Sequence, residues 1–340
     1  MVVSDLFLLR DDETSAVSAH RGHRAALTQT SPRCLARHRT RRSCSVNQVV
    51  HTCGGTVQTL DLGAFTDLGV HTPDEPAVAA EFYRRWGFVV LRDLLPAPLL
   101  ERIEAECVAA QQEVLAGTAD PRYGSTKYLD DEGKVEKFVN YVEHVEELAP
   151  GVEEALALPA LRALVADLLG EGFWRNRNGV VYQDARPGRE SGYSRIGWHA
   201  DWQAVPHLDI WPGTAFTIHV DGTSPANGFL RVVPGSHLWA TPSPFENVNG
   251  AVVPEGAPGA RGYTDTPPPF PMPLGFEKVR GELPVYAERG DVILHDAFLW
   301  HSAARATDDA TVRRHVRGGW QGGDPGLRDT ETGFVKNAAR

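Results

Sequence analysis

The segment Gly197-Trp198-His199-Ala200-Asp201-Trp202 sets an imidazole and a carboxylate two residues apart. On a β-strand, residues i and i+2 point to the same face, so His199 and Asp201 would present both groups together. A histidine from a neighbouring strand would complete a set of two histidines and one carboxylate. Such a set grips one side of a ferrous ion and leaves the other side open for ligands. His301, in Phe298-Leu299-Trp300-His301-Ser302, is the candidate, about 100 residues further on, after the turn Gly290-Asp291 and the apolar run Val292-Ile293-Leu294. The H-x-D pair alone is a weak signal: His199 could be a hydrogen-bonded histidine inside a barrel, and Asp201 a turn or capping acid. His207 and His219 follow no Gly-Asp-strand element and are weaker third ligands. His237 reads as a turn residue, and His295-Asp296 as a pair on the final strands without a metal role.

Elements must position these residues, and the chain changes texture along its length. Residues 75–86 read as a helix, with Asp74 as cap and Pro76 in the first turn, stopped by Gly87. Phe88 to Leu91 reads as a short buried strand. Helices are expected at 96–115, with Leu99, Leu100, Ile103 and Cys107 at helical spacing before Gly117, and at 156–169 before Gly170. From about Phe173, short β-rich runs alternate with Gly/Pro turns: 179–184, 195–199, 214–221, 228–233, 283–287, 291–295 and 311–317. Several short strands with turn signals between them predict a sandwich or barrel. The Pro/Gly-rich stretch 241–275 is long for a plain connection and is a candidate lid, as is 120–140. Lys127, Tyr128, Lys134 and Lys137 in the latter could meet an anionic substrate, although a solvated charged face is the plainer reading.

Composition sets bounds on function. Hydrophobic residues are 42% and charged residues 23% of 340, which excludes wholesale disorder. No apolar run is long enough to predict a transmembrane helix. The net charge of −10 argues against nucleic acid as the main partner. Residues 1–55 stand apart, with eight arginines, four acids and no acid from His20 to Ser45. They are expected to be a disordered leader, a targeting segment or an upstream stretch from a misplaced start, with order beginning near Val57. Residues 56–330 then form one domain, a helical support (74–170) and a β core (about 173–323), with 331–340 as a tail. The four cysteines (Cys34, Cys44, Cys53 and Cys107) include no C-x-x-C pair, which speaks against a zinc ribbon or disulfide scaffold and for a reduced, cytoplasmic protein.

The motifs in order carry more than any one of them. H-x-D at 199–201 is followed by Asn227-Gly228-Phe229-Leu230-Arg231-Val232-Val233-Pro234-Gly235-Ser236-His237, then by Gly290-Asp291-Val292 running to Trp300-His301, then by an arginine. This order resembles the phytanoyl-CoA dioxygenase family, which includes ectoine hydroxylase and many oxygenases of specialised metabolism. Phe82 to Leu95 is similar to the family's opening helix and strand, so the resemblance spans roughly residues 60–323. It implies a mainly β fold with flanking helices, a double-stranded β-helix (cupin-like jelly-roll). It also implies non-haem Fe(II), with 2-oxoglutarate and O2 as co-substrates. Carried over, His199, Asp201 and His301 match the metal ligands.

The family's arginine for the distal carboxylate of 2-oxoglutarate falls at Val312 in this register. The first arginine is Arg313, which is assigned on a turn one residue longer through 306–310. A guanidinium suits the task because its planar fork meets a carboxylate in two places and stays charged when buried. Arg314 is the runner-up on the opposite strand face, and Arg305 reads as a loop charge. Where the family often has a serine, this chain has Ala303, with Ser302 one residue earlier as the replacement contact. Thr217 is a further 2-oxoglutarate contact. Gln183 matches a site-lining glutamine of ectoine-hydroxylase-like members. Of Trp198 and Trp202, one could wall the pocket, Trp202 being the candidate, against simple core packing.

Halogenases of the wider superfamily replace the carboxylate ligand with a small residue, and this chain keeps Asp201. Hydroxylation of a small metabolite or natural-product intermediate is therefore expected. Epimerisation, desaturation and ring formation use the same ligands. A zinc hydrolase would have no need of Arg313, and a non-catalytic binder would release no succinate.

Overall fold

A computed structural model describes residues 48–53, 56–61, 69–124, 127–131, 134–175, 178–183, 196–201, 213–240, 263–272, 275–308 and 311–322, without side chains for 48–61 and 127–137. The leader and tail assigned from sequence therefore lie largely outside the described residues. Strands β1 (Gln48–Cys53) and β2 (Thr56–Asp61) pair antiparallel, with Cys53 opposite Thr56. Regular structure thus begins ahead of Val57: Val49, Val50 and Thr52 are β-branched and suit a strand.

Helix α1 (Pro76–Trp86) has proline in its first turn, and its cap position is Glu75, with no side-chain cap bond. Asp74 does not cap it. Gly87 ends it in the left-handed region, its N–H donating to the Tyr83 carbonyl. Strand β4 (Phe88–Leu91) follows, buried on both faces, with the short β3 (Val70–His71) parallel to it. Helix α2 (Ala97–Ala116) stops at Gly117. The single helix expected at 156–169 is instead α5 (Pro159–Leu169), preceded by the short α3 (Val145–Leu148) and α4 (Pro150–Leu156). Pro159 causes the break: the residue before a proline is driven out of the helical region, and Leu158 is extended at ψ 128°.

The remaining strands are β5 (Lys127–Asp131), β6 (Lys134–Phe138), β7 (Tyr141–Glu143), β8 (Trp174–Arg175), β9 (Gly179–Gln183), β10 (Ile196–His199), β11 (Gly213–His219), β12 (Leu230–Val232), β13 (Leu283–Val285), β14 (Val292–Asp296), β15 (His301–Ala303) and β16 (Arg313–Gln321). The larger sheet runs β3-β4-β14-β11-β16-β9-β7, with β8 also on β16. The smaller runs β10-β15-β12-β13, and β5 and β6 form a separate hairpin. Two mainly antiparallel sheets meeting face to face form the double-stranded β-helix.

Side-chain alternation assigns the two faces of the larger sheet. Val89, Val180, Tyr182, Phe216, Ile218, Val292, Leu294 and Val316 point outward and share one core with Leu99, Ile103, Cys107 and Leu161 of the helices. Tyr182 ties the layers together, donating from its hydroxyl to the Cys107 carbonyl at 2.6 Å. Phe88, Val90 and Ile293 point inward and meet Val232, Leu283 and Val285 of the smaller sheet. Fully burying one such side chain contributes about 1.5–3 kcal/mol, so these two cores fix the separation of the sheets. Polar residues that also point inward therefore need a reason to be there.

Candidate metal centre

His199 closes β10 and His301 opens β15, and the two are direct partners across the smaller sheet. Their ring centroids are 4.2 Å apart. Each ring is anchored from behind. His199 Nδ1 lies 2.8 Å from the Gly197 carbonyl and His301 Nδ1 lies 2.9 Å from the Leu299 carbonyl. A carbonyl can only accept, so both Nδ1 atoms carry the proton and both Nε2 atoms are left with bare lone pairs. Those lone pairs converge on one carboxylate oxygen: each Nε2 is 3.7 Å from Asp201 Oδ1. One ligand atom from each of the three residues lies within 4.8 Å of the others.

The electrostatics suit a cation. Burial, together with the neighbouring His301, pushes His199 down to about 4, against the pull of Asp201. Burial and His295 push His301 down to about 4. Both rings are therefore neutral and ready to donate at pH 7. Burial acts to raise Asp201, but His301, His295, His199 and Arg317 outweigh it and hold the carboxyl below its ordinary value. Two neutral imidazoles and one carboxylate form a donor set that fits divalent iron.

His295, expected from sequence to have no metal role, is not one of the three grouped ligands, but the structure places it beside them. It sits on the inward face of β14, its ring centroid 4.3 Å from that of His301 and its Nδ1 3.9 Å from Asp201 Oδ2. Alternation along Val292-Ile293-Leu294-His295 carried the signal, since Ile293 also points inward. Asp296, next to it, is buried and pushed up to about 7, mainly by burial. It accepts from the Phe298 N–H at 2.9 Å and from the Tyr263 hydroxyl at 2.7 Å. Tyr263 belongs to the candidate lid 241–275, so that stretch is fastened beside the centre at its far end.

Deeper between the sheets lies a cluster of inward polar side chains. Arg313 is 3% exposed and points inward on β16, opposite Gln183 of β9. Gly228 makes room for it: a Cβ there would stand 2.8 Å from Arg313 Nη1. Thr217 and His219 point inward on β11, and the Thr217 hydroxyl is hydrogen-bonded to His219 Nε2 at 3.0 Å. Burial and then Arg313 push His219 down to about 3, and His315, buried near both, is also driven well below its ordinary value. Gln183 Oε1 and His315 Nδ1 are buried with no hydrogen-bond partner among the described residues. Buried polar atoms are seldom left so, and a guanidinium with an unsatisfied amide and imidazole beside it fits a carboxylate guest.

Other expected residues fall elsewhere. Ser302 faces away from His301, as strand alternation requires, and its hydroxyl donates to the Ile196 carbonyl at 2.7 Å. It lies on the wrong face to meet a ligand of the centre. Arg314 faces outward, held by Asp221 and Glu104. Trp198 is packing: it is buried, donates to the Glu277 carbonyl at 2.9 Å and lies under Arg231. His237 is a turn residue whose Nε2–H donates to the Arg84 carbonyl at 3.0 Å. Trp202 and His207 lie outside the described residues, as do the side chains of Lys127, Tyr128, Lys134 and Lys137.

Comparison with known proteins follows this geometry. Residues 83–316 match the sequence model of the phytanoyl-CoA dioxygenase (PhyH) family. No curated protein sequence matches the chain. Among solved structures, EctD from S. alaskensis with bound Fe is 16% identical, over 73% of this chain and 78% of that one, at a TM-score of 0.51. The epimerase SnoN in complex with Fe3+, alpha ketoglutarate and nogalamycin RO is 19% identical, over 74% and 84%, at 0.51. The carbocyclase SnoK from nogalamycin biosynthesis is 19% identical, over 79% and 97%, at 0.51. At these identities the likeness concerns the fold.

Proposed function

The chain belongs to the phytanoyl-CoA dioxygenase family, whose enzymes work with Fe(II), 2-oxoglutarate and O2, and from that premise we propose that it hydroxylates an unactivated C–H bond of a small metabolite or natural-product intermediate. The observation that carries the reading is the convergence of two tautomer-fixed Nε2 atoms on one oxygen of Asp201. His199, Asp201 and His301 would hold the iron. When bound, iron with 2-oxoglutarate supplies O2 activation coupled to release of succinate and CO2.

The protein's own part is binding, orientation and exclusion of water. The Gly197 and Leu299 carbonyls keep the two ligand rings turned inward and their protons on the far nitrogens. Arg313 takes the distal carboxylate of 2-oxoglutarate. Its neighbours His219 and His315 are neutral, so they do not compete with it for the anion. Gln183 and Thr217 belong to the same cluster. The apolar contacts of Ile293 with the smaller sheet close the space behind the centre. A zinc hydrolase would leave a buried inward arginine without a task. A small-molecule substrate in the cytoplasm suits this reading, and Cys107, a buried free thiol, is compatible with a reducing compartment.

The mass of the product tests the reading. Enzyme, Fe(II), 2-oxoglutarate and candidate substrates are incubated in air, with succinate and product measured together. Hydroxylation predicts one succinate per product that is heavier by one oxygen. A product lighter by two hydrogens would indicate desaturation or ring closure, and one of unchanged mass epimerisation, the reaction named for SnoN.

A further inference from the structure

The inward face of the larger sheet is not uniform along its length. Towards its closed end it is filled by Arg313, His315, His219 and Gln183. Towards the metal ligands the described inward side chains are small: the positions beside His295 are Ala215 on β11 and Gly319 on β16. Arg317 stands in the next row, opposite Thr217 on one side and Gly179 on the other. Gly179 is required there: a Cβ would lie 2.2 Å from the Tyr141 hydroxyl, so the ring of Tyr141 crosses the sheet over this glycine. The Arg317 guanidinium rests 5.6 Å from the centre of that ring, and the residue is exposed, unlike Arg313.

We propose that Arg317 is the anion-binding residue of the substrate site, so that the substrate is a small molecule carrying a carboxylate, sulfonate or phosphate. The proposal rests on the reading that Arg313 serves 2-oxoglutarate. Arg317 is four residues from Arg313 on the same face, about 13 Å along the strand, further than one five-carbon dicarboxylate reaches. Strand register places it one inward row from His295, which stands beside the ligand rings. A guanidinium keeps its charge across the working pH range, as an oxyanion-binding group must. Ala215 and Gly319 occupy the next inward row, together with His295. A substrate gripped by its oxyanion at Arg317 would lay its carbon skeleton across these small residues towards the metal ligands.

The holoenzyme is loaded anaerobically with Fe(II) and saturating 2-oxoglutarate, then titrated by calorimetry with cyclohexanecarboxylate, methanesulfonate and inorganic phosphate. Wild type, Arg317→Ala and Arg317→Lys are compared, and 2-oxoglutarate binding is read separately from its visible charge-transfer band. The expected result is binding of at least one probe by wild type, weakened tenfold or more in Arg317→Ala and partly restored in Arg317→Lys, with 2-oxoglutarate binding equal in all three. The probe that binds best separates a planar from a tetrahedral oxyanion. No probe binding to wild type, or equal binding to Arg317→Ala, overturns the proposal. Loss of 2-oxoglutarate affinity in Arg317→Ala also overturns it, by making Arg317 the co-substrate anchor. A wild type with no band at all would instead defeat the underlying oxygenase reading, and this proposal with it.

Discussion

At the scale of residues, two adjacent arginines on one strand have opposite surroundings and should fail in opposite ways. Arg313 is inward and 3% exposed, whereas Arg314 is bound to Asp221 and Glu104 on the outer face. Losing one buried, charge-assisted contact to a carboxylate costs about 2–3 kcal/mol, or roughly 30- to 150-fold in affinity. Arg313→Ala should therefore need that much more 2-oxoglutarate in a binding titration, with the iron sites still filled. Arg314→Ala should bind 2-oxoglutarate normally but unfold about 1–2 kcal/mol more easily in urea, since it strips two part-buried acids of their partner. Much at this scale was legible in sequence. The i, i+2 spacing of His199 and Asp201 sets them on one face only if the run is a strand, and it is. The same alternation contradicts the expected contact at Ser302, which lies one residue from His301 and faces away, its hydroxyl on the Ile196 carbonyl. The closeness of His295 to the ligands was not legible, because it depends on which strands face each other, and local spacing does not record that.

Elements decide how closely those residues approach. The connection before β12 passes against the turn after β15 at Gly228, whose φ is +84°. A Cβ there would be 2.5 Å from the Ala304 carbonyl, which is backbone and cannot swing aside. Gly228→Ala should cost about 2–3 kcal/mol of stability from the left-handed backbone and the clash together. It should also raise the 2-oxoglutarate requirement several-fold by displacing Arg313, and both effects can be read on one purified variant. Helix ends were readable because Gly87, Gly117 and Gly170 close α1, α2 and α5. The short α3 and α4 were not, since four and seven residues carry too little periodicity to show a face. β15 is likewise only three residues long, and its place between β10 and β12 is a property of the sheet rather than of its own sequence.

The whole molecule carries a cost for holding histidines neutral inside it. His219 is pushed to about 3 and His237 to about 4, both chiefly by burial, and His315 is lowered as well. In the unfolded chain these groups take up protons near pH 6.5, so the unfolded state binds more protons below that value. Stability should fall as pH drops from about 6.5 towards 4, each histidine adding up to about 1.4 kcal/mol per pH unit. Asp296 works in the opposite sense: held at about 7, it contributes stability at low pH that is lost as pH rises through that value. Three groups outweigh one, so the urea midpoint should decline steadily between about pH 6.5 and 4.5. A flat or rising midpoint would mean that the histidines are not held neutral. The jelly-roll itself was legible through the ordered motifs and their resemblance to a family, more than through strand periodicity, because an enclosed polar site interrupts the apolar pattern that marks strands. On the proposed function, His199, Asp201 and His301 would hold iron with 2-oxoglutarate on it. The most direct test is anaerobic titration of the protein with Fe(II) and then 2-oxoglutarate, watching the visible charge-transfer band. Wild type should give a saturable band that is absent from His199→Ala and Asp201→Ala at matched folding. Iron binding without a band, or a band that survives in His199→Ala, would contradict that function.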